Sequence, residues 1–141
     1  MKLKRILLDI NIVMDLLLAR MPFAAEAKVL FQKAIDDEIE VYVTSCSLIT
    51  LVYFMERTIG YVTTRAIISN FLQIAKSIDI TTADIQKAFN NIVITDTEDA
   101  IQMQGAIKAE IEFILTRDKD FIKVQGLKIP IISPTDYLKK F

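Results

Sequence analysis

Three acidic side chains stand directly after short apolar runs of this sequence, where they could bind a cation. Asp9 ends the run Ile6–Leu8, and Asp118 and Asp120 follow the run Phe113–Thr116. Continuous apolar runs of this length are typical of central parallel strands, which are buried on both faces. Because ligands of an open parallel sheet bind beyond the carboxyl ends of its strands, we expect these carboxylates at one edge of the sheet.

A second acidic group lies at the start of a helical pattern that precedes the later run. It consists of Asp96, Glu98 and Asp99, and the spacing from Thr95 to Glu98 matches a capping box. This spacing predicts a helix from about Thr97 to Ala109. If the sheet is wound in chain order, the acids converge although they are far apart in sequence. Several carboxylates at close range repel one another, so such a cluster requires cations that neutralise it.

The chemistry open to such a cluster is that of a hard divalent cation. Mg²⁺ and Mn²⁺ prefer an all-oxygen site. A metal held there could activate water, orient a phosphodiester for in-line attack and stabilise charge on the leaving oxygen. The chain has no histidine and one cysteine. This excludes ordinary zinc sites, an internal disulfide and every mechanism that uses a histidine base.

Composition favours one domain spanning residues 1–141. A chain of 141 residues is long enough for one core and requires no second domain. Hydrophobic residues make up 52% of it, above the usual ~45–50%, which predicts an oligomer interface beside the core. The net charge of −1 excludes nucleic-acid binding by phosphate neutralisation alone. The N-terminal apolar run is broken at Asp9, Asn11 and Asp15, so we expect a cytoplasmic protein without a signal peptide or membrane span.

Apolar periodicity predicts strands alternating with helices, and hence a three-layer α/β/α fold with a central, mostly parallel sheet. A loop carrying Arg117, Asp118 and Asp120 and a C-terminal segment after Pro134 complete the pattern. The predicted strands are Ile6–Leu8, Glu40–Thr44, Ile78–Ile80, Phe113–Thr116 and Lys128–Ile132. The other predicted helices are Ile12–Arg20, Phe23–Asp36, one capped by Ser45 or Ser47 and ending at Thr58, one opening at Thr63 or Thr64, and Thr82–Asn90.

Three motifs, in this order, resemble those of the PIN-domain nucleases. Leu7–Ile12 is similar to the opening pattern of that family, in which an Asp ends the first strand and an Asn follows two residues later. Asp96–Ala100 resembles the central acidic motif, and Thr116–Phe121 resembles the closing motif. The resemblance implies a PIN-like fold and Mg²⁺- or Mn²⁺-dependent cleavage of RNA. Many small PIN domains are VapC-type toxins, so it also implies a homodimer and an antitoxin partner.

Carried over by position, the resemblance implies that Asp9, Asp99 and Asp118 are the catalytic metal ligands and that Asn11 orients Asp9. Taken outside the family pattern, Asp9 could cap the following helix and Asp118 could belong to a solvated turn. Adjacent acids that could take part are Asp96, Glu98 and Asp120.

Two positions depart from the family pattern. Its second acid, usually a Glu on the helix after the second strand, falls at Leu51, and Ile10 replaces the Thr usual between Asp9 and Asn11. Glu56 lies about 140° around the helix from Leu51 and is a poor substitute. Two hypotheses therefore stand: an active ribonuclease, and a catalytically impaired PIN-like module that binds RNA or a protein. A phosphoryl-transfer receiver domain would require paired acids after the first strand, at a spacing that this chain does not supply.

Overall fold

The computed structural model describes residues 2–141, and its centre is a five-stranded sheet in which every pairing is parallel. The strand order is β3-β2-β1-β4-β5, so β2 and β3 lie on one side of β1 and β4 and β5 lie on the other. The crevice between β1 and β4 is therefore the topological switch point of the sheet. The strands are β1 Lys4–Leu8, β2 Ile39–Thr44, β3 Lys76–Ile78, β4 Phe113–Leu115 and β5 Ile131–Ile132.

Helices connect the strands and cover the sheet. No helix within residues 2–141 combines the length and the apolar character needed to cross a membrane. The helices are α1 Ile10–Leu17, α2 Ala24–Ile35, α3 Ser45–Ile59, α4 Tyr61–Phe71, α5 Thr82–Phe89, α6 Thr97–Lys108, α7 Lys119–Ile122 and α8 Pro134–Lys140.

Alternating side chains of β1 feed two separate cores, one on each face of the sheet. Ile6 and Leu8 pack with buried residues of α1 to α4 and of α8. Leu7, between them, packs on the opposite face with buried residues of α5, α6 and α7. All three are at most 2% exposed, as a central strand covered on both faces requires. The prediction of a three-layer α/β/α fold with a parallel sheet is therefore confirmed.

Several helices differ from prediction in their first residue or in the residue that caps them, although α6 begins at Thr97 as predicted. Asp9 caps α1, which starts at Ile10 rather than Ile12. Thr44 caps α3 by accepting a hydrogen bond from the backbone of Ser47, so neither predicted serine is the cap. Gly60, with a φ of 81°, precedes α4 directly, which therefore starts before Thr63. The cap of α6 is Asp96, which accepts from the backbone of Asp99, so the capping box predicted at Thr95 is wrong.

The two edge strands and the loop after β4 also differ from prediction. β3 ends at Ile78, because the backbone N–H of Ile80 donates to Ser45 Oγ instead of to a strand. β5 is confined to Ile131–Ile132, directly after Pro130, which has no N–H for a ladder. The expected loop after β4 contains the short helix α7, capped by Asp118.

Candidate functional site

The carboxyl ends of β1 and β4 bring two parts of the predicted site side by side. Leu8 pairs with Leu115 in the last register position of the two strands. The backbone N–H of Asp9 then donates to the carbonyl of Leu115 over 3.0 Å. Asp9 and Thr116, the next residues along each strand, therefore meet at the switch point although they are 107 positions apart in the sequence.

The Asp9 carboxylate is 5% exposed and is held by four hydrogen-bond donors. Oδ1 accepts from the backbone of Ile10 at 2.8 Å and from Gln102 Nε2 at 2.9 Å. Oδ2 accepts from Thr116 Oγ1 at 2.7 Å and from Asn11 Nδ2 at 3.4 Å. A carboxylate offers about four acceptor positions, so these donors use all of them. The structure thus makes Asp9 both a helix cap and a buried, fully bonded carboxylate.

Thr116 connects the β1–α1 turn to the β4–α7 turn. Its hydroxyl donates to Asp9 and accepts from Asn11 Nδ2 at 3.3 Å and from the backbone N–H of Asp118 at 3.0 Å. Asn11 closes the connection, because its Oδ1 accepts from the backbone of Arg117 at 3.3 Å. The two turns that carry Asp9 and Asp118 are therefore fixed to one another.

The acids predicted for the site influence the pKa values of one another. The pKa of Asp99 is raised to about 7, chiefly by partial burial and in addition by the negative charges of Asp96, Asp9, Asp118 and Glu98. Burial also raises the pKa of Glu98, with added repulsion from Asp9 and Asp96. Asp99 therefore lies within electrostatic reach of acids from the β1, α6 and β4 segments.

An open cavity lies beside these acids. It has a volume of about 390 Å³ and is lined by Asp96, Asp99 and Asp120 together with three other residues. Asp96 Oδ1 and Asp118 Oδ1 each accept a backbone hydrogen bond as helix caps. The second carboxylate oxygen of each accepts no hydrogen bond from residues 2–141. Oxygen ligands of this kind suit a hard divalent cation.

As they stand in the structure, however, the acids do not form a finished metal site. Among residues 2–141, no three Asp, Glu or Cys side chains are grouped closely enough to hold a metal ion. Asp9 is fully hydrogen-bonded, and the caps Asp96 and Asp118 use one oxygen each. The chemistry of the donors fits Mg²⁺ or Mn²⁺, and binding requires that some of these hydrogen bonds are exchanged.

Leu51 and Glu56, the two positions considered for the second acid, contribute no carboxylate to the buried centre. Leu51 is 1% exposed and packs in the core that Ile6 and Leu8 share with α1 to α4. Glu56 lies on the exposed side of α3. The site is thus built from acids of the β1, α6 and β4 segments.

Gln102 was not predicted, although it contacts Asp9 directly. It is 2% exposed and lies three residues after Asp99 on α6, a spacing that places both on the same side of a helix. That spacing is the signal that could have identified it. Its Oε1 is buried and accepts no hydrogen bond from the described residues, at a cost of about 1–3 kcal/mol.

A second buried carboxylate, Asp15, holds the site from the side of α1. It is 1% exposed and accepts from Arg117 Nε at 2.7 Å and Nη2 at 3.0 Å. Arg20 Nε and Nη2 each lie 3.0 Å from the same carboxylate. The Arg117 guanidinium also covers the ring of Phe23, 3.7 Å from its centroid. Arg117 is therefore engaged within the protein.

Solved structures of similar fold come from toxin–antitoxin systems. VapC20 of Mycobacterium tuberculosis, described as a sarcin–ricin loop cleaving toxin, has a TM-score of 0.69 at 18% identity, over 89% of this chain and 98% of that chain. A DNA-bound VapBC of Salmonella typhimurium has a TM-score of 0.67 at 15% identity, over 92% and 98%. A toxin–antitoxin complex from Klebsiella pneumoniae has a TM-score of 0.64 at 23% identity, over 91% and 96%.

Sequence comparison identifies the family of the chain but no individual relative. No curated protein sequence matches the chain significantly. The family model described as PIN domain matches residues 5–120, which include β1, the start of α6 and the β4–α7 turn. The structural similarities, all below 25% identity, concern the fold and agree with this match. The chain belongs to the PIN-domain family.

Proposed function

We propose that this protein is a metal-dependent endoribonuclease and the toxin of a toxin–antitoxin pair. The observation that carries the proposal is the placement of acids from three segments around the switch point, where burial, and after it the neighbouring negative charges, raise the pKa of Asp99 to about 7. Perturbed carboxyl groups beside a cavity at this place in a parallel sheet are typical of a catalytic site. The family and the toxins of similar fold favour a nuclease among the activities such a site can support.

In this proposal Asp9, Asp99 and Asp118 hold Mg²⁺ or Mn²⁺, with Asp96 and Asp120 beside them. The bound cation supplies Lewis-acid chemistry, by which water becomes a better nucleophile and charge on a phosphodiester is neutralised. Burial and the neighbouring charges raise the pKa of Asp99 to about 7, and a bound cation would lower this pKa by opposing those charges. Before a cation binds, Asn11 and Thr116 orient Asp9, and Thr116 also fixes the turn that carries Asp118.

The charge of the protein explains why a cation is required. The net charge is −1, and the acids at the switch point repel a phosphate backbone. RNA can approach this edge only if a divalent cation reverses the local charge. Since the RNA substrate is found in the cytoplasm, the proposal also implies a cytoplasmic protein.

The test is cleavage of labelled single-stranded and structured RNA with Mn²⁺, with Mg²⁺ and with EDTA. Asp9→Asn removes one proposed ligand, so its cleavage rate should fall by at least ~10². The matched control is Asp37→Asn, an equal charge change in the α2–β2 turn, which lies at the amino ends of the strands, away from the acids. Asp37 has a φ of 56°, which Asn tolerates well. Cleavage that persists in EDTA, or equally in Asp9→Asn, contradicts the proposal.

A second function is a PIN-like module that binds RNA or a protein without catalysis. The four hydrogen bonds on the Asp9 carboxylate favour it, because a carboxylate bonded in this way is stable without a cation. In that case the folded wild-type protein neither cleaves RNA nor binds Mn²⁺ in calorimetry. The same preparation then binds RNA or a partner with equal affinity in EDTA.

A partner protein and a homodimer belong to the same proposal. Large apolar side chains are exposed on α3 and at the start of α4, where Ile49, Tyr53, Phe54, Tyr61 and Val62 are between 47% and 74% exposed. Exposed apolar groups in this number are typical of a surface that another chain covers. Light scattering of the purified chain, alone and after co-expression with the adjacent gene product, tests both associations. A strictly monomeric chain that captures no such partner contradicts them.

A further inference from the structure

We propose that Gln102 is a positioning residue, which holds the Asp9 carboxylate in the orientation needed for a divalent cation. Gln102 Nε2 donates to Asp9 Oδ1 over 2.9 Å, and both residues are buried, at 2% and 5% exposure. The inference rests on the proposed metal-dependent activity and adds a neutral residue to its acidic site.

Gln102 is held in place by the tight packing of α6. Met103 and Ala106 of the same helix are at most 1% exposed. At Gly105 the helix approaches the neighbouring elements so closely that a Cβ atom there would lie 2.9 Å from Ile80 Cδ1. Because Asp99 is one turn before Gln102, α6 sets the position of a proposed ligand and of the donor to Asp9 together.

The donors to Asp9 differ in how easily they can be exchanged. A cation that binds Asp9 must replace one of them, since all four acceptor positions are used. The bond from Asn11 is the longest, at 3.4 Å, and Asn11 is only half-buried. Thr116 and Gln102 are buried and donate at 2.7 and 2.9 Å. We therefore expect Asn11 to yield its bond and the other donors to keep the carboxylate fixed.

The second polar atom of Gln102 supports the same role. Its Oε1 is buried and accepts no hydrogen bond from residues 2–141. If the amide were turned over, this oxygen would face the Asp9 carboxylate and repel it, so the observed orientation is the favourable one.

The affinity of the protein for the cation shows whether Gln102 positions Asp9 or only stabilises the fold. Gln102→Met keeps the length and helix preference of the side chain and removes both polar atoms. The matched control is Gln104→Met, the same change two residues along α6. In calorimetry with Mn²⁺ alone, we expect Kd to rise ~10–100-fold for Gln102→Met, as for other residues that orient a ligand. Kd for Gln104→Met should equal that of the wild type.

If the Gln102→Met variant does not fold, a measurement on the wild type still tests the inference. During titration with Mg²⁺, the side-chain amide signals of Gln102 in nuclear magnetic resonance should shift with the same midpoint as Mg²⁺ binding measured by calorimetry. Those of Gln104 should stay in place. A wild type that binds cation, with an unmoved Gln102 signal or an unchanged Kd in Gln102→Met, overturns this inference and leaves the proposed function intact. A wild type that binds no cation overturns the proposed function, and the inference with it.

Discussion

The hydroxyl of Thr116 donates to Asp9 Oδ2 over 2.7 Å across the ends of two neighbouring strands. Thr116 is fully buried, so neither group can replace this bond with bulk water. Thr116→Val keeps the shape and removes the hydroxyl, which leaves the backbone N–H of Asp118 without its acceptor as well. We expect a loss of about 1–3 kcal/mol in the free energy of unfolding, measured in urea, together with a lower rate of RNA cleavage.

Thr116→Ser is the control for this change. It restores the hydroxyl and removes one methyl group, so its cleavage rate should stay within a few-fold of the wild type. Equal rates for the Val and Ser variants would show that the hydroxyl does not orient Asp9.

The raised pKa of Asp99 predicts a pH-dependent stability of the metal-free protein. The carboxyl has a pKa of about 7 in the fold, against an ordinary value of 3.8. The native state therefore binds more protons between these values, and stability falls as the pH rises from about 4 through about 7. Asp99→Asn cannot lose this proton, so it should be more stable than the wild type at pH 8 in EDTA and nearly equal to it at pH 4.

Urea unfolding of both proteins at the two pH values measures this difference, and groups that titrate in both proteins largely cancel. Saturating Mn²⁺ at pH 8 should stabilise the wild type more than Asp99→Asn, because the cation neutralises the same charges and binds the native state. A stability difference that is independent of pH would contradict the raised pKa of Asp99.

The central strands of the sheet were predictable because each contains a run of apolar residues. β1 contains the apolar run Ile6–Leu8 and β2 the run Val41–Val43, and such runs indicate strands buried on both faces. At β3, by contrast, only Ile78 is buried among three residues. Its predicted bounds followed the apolar residue Ile80, whose backbone bonds to a side chain instead of the ladder. Tertiary contacts therefore decided the edges, where the pattern of the sequence is weak.

The acids of the proposed site are predicted from residue type and motif, but the sequence gives no comparable signal for the neutral groups that hold them. Asp9, Asp99 and Asp118 stand at strand or helix ends, where chemistry can be inferred from position. Gln102 contacts Asp9 across 93 positions, and an amide within a helix is usually an exposed residue. Only the fold makes this pairing visible.

The burial of Leu51 predicts that a carboxylate at this position destabilises the protein. Leu51 is 1% exposed and packs in the core that Ile6 and Leu8 form with α1 to α4. Leu51→Ala should lower the free energy of unfolding by about 2–5 kcal/mol, since it leaves a cavity. Leu51→Glu should cost at least as much, because it buries a charge among apolar groups. Urea unfolding measures both.

The outcome for Leu51→Glu also tests the family comparison. If this variant stays as stable as the wild type and binds Mn²⁺ more tightly, then position 51 faces the site and the leucine marks a lost ligand. A destabilised variant with unchanged or weaker Mn²⁺ binding shows that the site is formed without an acid at this position.

The Asp15 carboxylate predicts a large stability effect at a residue that takes no part in the proposed chemistry. It is 1% exposed and bonds to Arg117 at 2.7 and 3.0 Å and to Arg20 at 3.0 Å. Asp15→Asn leaves both guanidinium groups without their counter-charge, and we expect a loss on the order of 3 kcal/mol. The matched control is Glu38→Gln, which breaks the exposed ion pair with Lys33 and should cost less than ~1 kcal/mol.

Because Arg117 also donates its backbone N–H to Asn11, Asp15→Asn should weaken Mn²⁺ binding as well. A variant with wild-type stability in urea would show that the two arginines find water or other acceptors at no cost.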